Sequence, residues 1–278
     1  NKLLLSGQKG LGKSTMAHHF INSVLSKDEE FTYNNDNFEI NLNNHSFKTM
    51  MNKTNLNFSL IDINHKNKSI DINQIRDLIS TLNKSSLNHK PRFILIDNIE
   101  FLNANSINAL LKIIEEPSNN TYFILINNNK KVLDTLLSRC INFKIFLTNQ
   151  ECLEIANILL DKNLKELINK DLINYYSTPG NVYNLVKFGI EYKYDLKNQN
   201  LKEFLIKLIN NNDYKKDSSL KYLFFDLIEF YFNKIQLSKT FNLYDKYSYF
   251  MKKISDTRRF NLDEESLFIE FEEKILNG

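Results

Sequence analysis

Tryptophan is absent from the 278 residues, and cysteine, proline and glycine are scarce at two, three and six. The two cysteines, Cys140 and Cys152, form no C-x-x-C pair and no cluster with histidine. No zinc is therefore expected, no disulfide framework is suggested, and a reducing cytoplasm fits. No apolar run approaches the roughly 20 residues of a membrane span, and no signal peptide is visible. No membrane role is expected. An excess of one charge is also lacking: the net charge is +3 with 25% charged residues, so charge alone does not argue for nucleic acid. The shortage of glycine and proline reflects a biased codon pool more than disorder, because hydrophobic residues still make up 42%. Such a chain is long enough for two or three small domains. It begins at Asn1, without an initiator methionine and almost on top of the first strand, so native N-terminal residues are expected to be missing from it.

What is present starts at residue 7. Gly7-Gln8-Lys9-Gly10-Leu11-Gly12-Lys13-Ser14 satisfies G-x-x-x-x-G-K-[ST]. It lies between a strand-like Leu3-Leu4-Leu5 and a helix-like Thr15–Leu25, whose candidate core positions include Met16, Phe20 and Leu25. That context predicts a nucleoside triphosphate site. Gly7, Gly10 and Gly12 let backbone N–H groups wrap an anion, and the helix N-terminus, at Thr15, adds positive potential. Lys13 is expected to reach the outer phosphates and Ser14 to reach Mg²⁺.

Further along, residues 27–57 are polar and predict a loop with minor structure. Strands are expected at Phe58–Ile63, Phe93–Asp97 and Tyr122–Ile126, with helices at Ile72–Leu82 and 104–115. Strands alternating with helices imply an α/β core, a mostly parallel sheet covered on both faces. Asp97 ends an apolar strand, where a Mg²⁺-organising carboxylate is expected, although such an Asp is otherwise often a turn residue. Residue 98 is Asn, whose amide cannot take a proton from an attacking water. Glu100 is the next carboxylate and a weak candidate to substitute. Asn127 follows a strand and is a candidate phosphate sensor, with Asn128 and Asn129 competing for that position and all three compatible with a plain turn.

From residue 148 the pattern is helical, with no convincing strand. Glu151–Leu160 and Lys165–Tyr176 predict a small helical unit closed by Pro179-Gly180 and a last helix at Asn181–Phe188. Tyr192–Asn200 looks like a linker. The expected division is a nucleotide-binding core at 1–147, a helical lid at 148–192 and a helical collar or oligomerisation domain at 193–278. Phe224, Phe225, Leu227, Ile228, Phe230, Tyr231 and Phe232 predict a helix buried on several sides.

Asn108-Ala109-Leu110-Leu111-Lys112-Ile113-Ile114-Glu115-Glu116-Pro117, followed by Ser138-Arg139-Cys140, resembles bacterial clamp-loader subunits of DNA polymerase III, in the AAA+ ATPase class. The ordered segments Ile72–Arg76, Ile94–Asn98 and Thr135–Leu137 agree, and the resemblance covers about residues 1–188. It implies a P-loop core, a lid and a collar. It also implies ATP or ADP with Mg²⁺ at the loop. By resemblance, Arg139 is an arginine finger acting in trans on a neighbour's ATP, a role suited to a rigid, always protonated guanidinium. Without the surrounding motifs, Arg139 would read as a surface arginine.

That family has motor subunits, gamma or tau, and a stator, delta prime. The departures favour a delta prime type. Asn98 stands where a motor carries its catalytic Glu. No Arg occurs between Cys140 and Phe250, where motors carry a lid sensor. The four zinc-module cysteines of many relatives are missing, which says little about function. The phosphate loop is intact, so weak or passive nucleotide binding is expected. Implied partners are gamma or tau and delta in a heteropentameric ring, a sliding clamp, and primed DNA through the complex. The alternatives are a divergent ATP-hydrolysing motor subunit and an AAA+ adaptor unrelated to replication.

Overall fold

The computed structural model describes all residues except 64–68, 84–87, 175, 217, 237–241, 261 and 278, and describes the backbone alone at 218–222, 236, 242–243 and 258–260. It divides into two compact units, Asn1–Phe146 and Leu147–Gly278.

The first unit is built on five parallel strands: β1 (Lys2–Ser6), β2 (Phe58–Ile61), β3 (Arg92–Ile96), β4 (Thr121–Asn127) and β5 (Ile141–Lys144). Their order across the sheet is β2-β3-β4-β1-β5. Between them run α1 (Lys13–Leu25), α2 (His45–Met51), α3 (Ile72–Leu82), α4 (Ala104–Glu115) and the single turn α5 (Asp134–Leu137). Successive strand residues face opposite sides. Leu4, Ile94, Ile96, Phe123 and Leu125 pack with Ile75 and Leu78 of α3 and Leu110 and Ile114 of α4. Leu5, Phe93, Leu95, Ile124 and Ile126 pack with Ala17, Ile21 and Leu25 of α1. The expected α/β core with both faces covered is observed.

One local expectation is corrected. Met16 and Phe20 are not core residues; they are 50% and 48% exposed. Leu25 is buried as expected, and the stripe it completes is Ala17, Ile21 and Leu25, four residues apart on one helix face, with Met16 and Phe20 one position off it. The 27–57 segment is a loop with minor structure, as expected: it carries α2 and an isolated bridge between Asn34 and Glu39. Asn44 caps α2 through a 2.6 Å bond from Phe47 N–H, and its amide pairs reciprocally with that of buried Asn22 at 3.0 and 3.2 Å. Strand β5 was not anticipated.

The second unit is helical among the described residues: α6 (Asn149–Leu160), α7 (Leu164–Leu167), α8 (Pro179–Glu191), α9 (Leu201–Asn210), α10 (Ser218–Gln236), α11 (Asn242–Phe260) and α12 (Glu264–Phe271). Thr148 and Glu151 form a reciprocal capping box on α6. Lys165–Tyr176 is not one helix; it breaks into α7 and a 3₁₀ turn at Lys170–Leu172. Pro179 opens α8 instead of closing the preceding unit, at the first helical position where its missing N–H costs nothing. The segment 192–200 is no free linker. Tyr194 and Leu196 are buried in the helical core, and Tyr194 donates a 2.6 Å hydrogen bond to buried Asp213. Phe224, Phe225, Leu227, Ile228 and Phe232 are buried as expected, Phe230 and Tyr231 are half-buried, and Phe224 and Phe268 lie edge to face at 4.4 Å.

Candidate nucleotide-binding site

The candidate site collects at the carboxyl ends of parallel strands, where α/β sheets place ligands. β1 feeds the phosphate loop and α1 leaves it. Gly7 is required by close approach: a Cβ there would lie 2.4 Å from the carbonyl oxygen of Ile145. Gly12 sits at φ 81° as the residue capping α1, with no side-chain cap and open space around its missing Cβ. The first N–H groups of α1 are thus left without a side-chain acceptor beside an uncrowded loop, which is what an anion needs. Thr15 is exposed and Ser14 half-buried.

Lys13 folds back over the loop. Its ammonium donates to the carbonyls of Gly7 at 2.9 Å and Gln8 at 2.6 Å. Burial pulls its pKa down, while the charges of Asp97 and Glu100 oppose that shift. Asp97 follows β3 beside Ser14, and its carboxylate accepts from the Asn98 backbone N–H at 2.8 Å. Burial pushes this carboxyl above the usual aspartate range, and the charge of Asp62 adds to the effect against the opposing hydrogen bonds. The hydroxyl of Ser14 and the carboxylate of Asp97 are hard oxygen donors of the kind Mg²⁺ takes. These residues therefore fit a Mg²⁺-bound nucleotide.

Asn98 adopts a left-handed conformation, φ 57° and ψ 46°, which Asn tolerates better than most residues. Its amide is engaged at both ends. Nδ2 donates to Asp62 Oδ1 at 2.7 Å, and Oδ1 accepts from Asn128 Nδ2 at 2.7 Å. Asn128 also donates to Glu100, from Nδ2 at 3.0 Å and from its backbone N–H at 3.3 Å. Glu100 is therefore tied to Asn128. Asn127 serves its own turn: Nδ2 donates to Lys130 O at 2.9 Å, and its carbonyl accepts from Gly7 N–H at 3.2 Å. The structure thus brings Lys13, Ser14, Asp97 and Asn98 together. It places Asn128, not Asn127, against Asn98 and Glu100.

Asp62 was missed in the sequence. Its signal is a repeat: Leu60-Ile61-Asp62 and Leu95-Ile96-Asp97 end adjacent parallel strands in register, Ile61 beside Ile96.

Arg139 belongs to a different place, the loop between α5 and β5. Nε donates to Glu115 Oε1 at 2.9 Å, Nη2 pairs with the same oxygen, and Nη1 donates to Thr135 O at 2.6 Å. Its side chain is 32% exposed.

The parallel sheet, the glycine-hinged loop before a helix and the strand-end carboxylates define a P-loop nucleotide-binding core. A sequence model of the family described as "DNA polymerase III, delta subunit" matches residues 1–148, more than half of the chain, and the chain belongs to that family. It is 41% identical over 83 residues to the DNA polymerase III subunit delta' of Buchnera aphidicola subsp. Baizongia pistaciae, covering 30% of this chain and 25% of that one. It is 28% identical over 184 residues to the delta' subunit from subsp. Schizaphis graminum, covering 62% and 56%. The gamma subunit from the same subspecies is 29% identical over 163 residues, covering 56% and 40%. The chain therefore spans between a quarter and just over half the length of these relatives. No described helix is long and apolar enough to cross a membrane.

Proposed function

We propose that the chain acts as a delta prime type stator in a bacterial DNA polymerase III clamp loader. In this role it completes a ring with gamma or tau and delta subunits and helps load a sliding clamp onto primed DNA in the cytoplasm. Residues 148–192 and 193–278 serve as lid and collar. It holds nucleotide passively and donates Arg139 to a neighbour's ATP.

The observation that carries this is Asn98. The residue following the Mg²⁺-side carboxylate is an amide, held on both sides by Asp62 and Asn128, and the next carboxylate along the chain, Glu100, is bound to Asn128. Neither the amide of Asn98 nor Glu100, whose two oxygens both accept from Asn128, offers a free base to an attacking water. A bound Mg²⁺ would neutralise charge on the phosphate oxygens. Loop amides and Lys13 would hold the phosphates, and Ser14 and Asp97 would hold the ion. Arg139, outside this cluster and partly exposed, suits a phosphate on another subunit.

The test compares ATP turnover by the isolated chain and by the chain co-purified with gamma or tau and delta. Negligible turnover alone and stable co-purification are expected. Robust turnover by the isolated chain, abolished by Lys13→Ala, would overturn the stator assignment. Failure to co-purify would point to an adaptor outside replication.

A further inference from the structure

Arg139 does not wait free in this chain. One carboxylate oxygen, Glu115 Oε1, accepts from both Nε and Nη2, and the Thr135 carbonyl accepts from Nη1. Ser138 Oγ lies 3.4 Å from Nη1. The Nε–Nη2 edge is the edge with which guanidinium grips a carboxylate or phosphate in bidentate fashion. Here that edge is already occupied, and by a group of the same charge as the phosphate it would meet.

The pair is also placed to come apart. Arg139 is partly exposed and Glu115 exposed, at 32% and 49% of their side-chain surface, so water can replace either. Glu115 is the last residue of α4, where unpaired carbonyls make a carboxylate unfavourable without a cation. Lys2 Nζ reaches the Glu115 carbonyl at 3.4 Å, so a second cation stays at this helix end when Arg139 leaves.

We propose that Glu115 is a positioning residue for Arg139: a counter-charge that stores the guanidinium on its own subunit and must be displaced by the neighbour's phosphate. This rests on the finger assignment made above. Glu115 therefore acts as a brake on the neighbouring ATP site, releasing the arginine only where a stronger anion competes.

The experiment uses the complete complex with Glu115→Gln, Glu115→Ala, Arg139→Ala and the double variant Glu115→Gln/Arg139→Ala. Gln keeps an oxygen acceptor and removes the charge. E115Q is expected to raise kcat for ATP two- to fivefold with KM unchanged, and the double variant to match R139A. In the isolated chain, E115A should turn the Arg139 side-chain Nε–H from ordered to mobile by ¹⁵N relaxation. If R139A lowers turnover but E115Q leaves it unchanged or lowers it, the brake is refuted and the finger stands. If R139A has no effect, the finger itself falls and the brake with it. An E115Q gain that persists in the double variant would show that Glu115 acts by another route and would also overturn the proposal.

Discussion

Asn98 Nδ2 lies 2.7 Å from Asp62 Oδ1, joining the ends of two adjacent parallel strands. An amide at position 98 is thus part of the local structure as well as a missing base. Asn98→Glu should not create an ATPase. It sets a carboxylate against Asp62 and forces a left-handed backbone on Glu, at a cost of about 1–2 kcal/mol. The expected outcome is a lower denaturation midpoint with turnover still negligible. Adding Asp62→Asn should recover part of the stability without restoring turnover. High turnover in Asn98→Glu would remove the main support for the stator assignment.

Two aspartates should titrate with opposite signs. Asp97 is pushed up by burial, so its folded-state pKa exceeds the unfolded one. Its favourable contribution is complete below the ordinary value of 3.8 and is lost as pH rises through the folded pKa. Asp97→Asn should therefore stabilise the first unit at pH 7, with the gain vanishing below pH 3.8. Asp213 is also pushed up by burial, but hydrogen bonds from Lys216 and Tyr194 outweigh this and hold it below the usual range. Its contribution is present above 3.8 and is lost as pH falls through the folded pKa. Asp213→Ala should destabilise the second unit at pH 7, by about 1–3 kcal/mol for leaving the Tyr194 hydroxyl without its acceptor. Thermal melts from pH 3 to 8 check both signs.

The phosphate loop was legible because its chemistry is local: eight consecutive residues and their flanks specify it. Asp97 and Asn98 were legible because an apolar strand ends on them. Asp62 was not, because its role depends on which strand lies beside which, and parallel pairing joins distant segments. Strand β5 escaped for a different reason. All four of its residues are exposed, and Ile141-Asn142-Phe143-Lys144 offers a brief alternation instead of a buried apolar run. Met16 and Phe20 misled through size. They share a helical spacing with each other, but the stripe that fits the sheet is Ala17, Ile21 and Leu25.

Gly7→Ala should separate architecture from ligand chemistry. The added methyl meets the Ile145 carbonyl at 2.4 Å, which neither backbone can yield cheaply. A loss of about 1–3 kcal/mol in urea unfolding is expected. Gly12→Ala finds open space but inherits φ 81°, so its cost is about 1–2 kcal/mol and arises from backbone strain alone.

Arg139→Ala should leave assembly intact, since the ion pair it breaks is exposed and contributes about 1 kcal/mol or less. Turnover at the ATP site it serves should fall about a thousandfold or more. The complex as a whole falls less, because its other sites continue. Size-exclusion chromatography and steady-state ATPase measurements decide this together. Intact assembly with unchanged turnover would contradict the finger role.

The strand order has a temporal side. β1 is flanked by β4 and β5, with Ser6 beside Asn127 and the Ser6 hydroxyl donating to Asn142 at 2.9 Å. The loop that follows β1 is therefore translated more than a hundred residues before the strands that prop it. A ribosome must release nearly the whole first unit before the loop's N–H groups can converge. Nascent chains that stop before β4 carry the complete nucleotide signature and no pocket, and a pull-down of truncated chains on immobilised ADP should retain none of them.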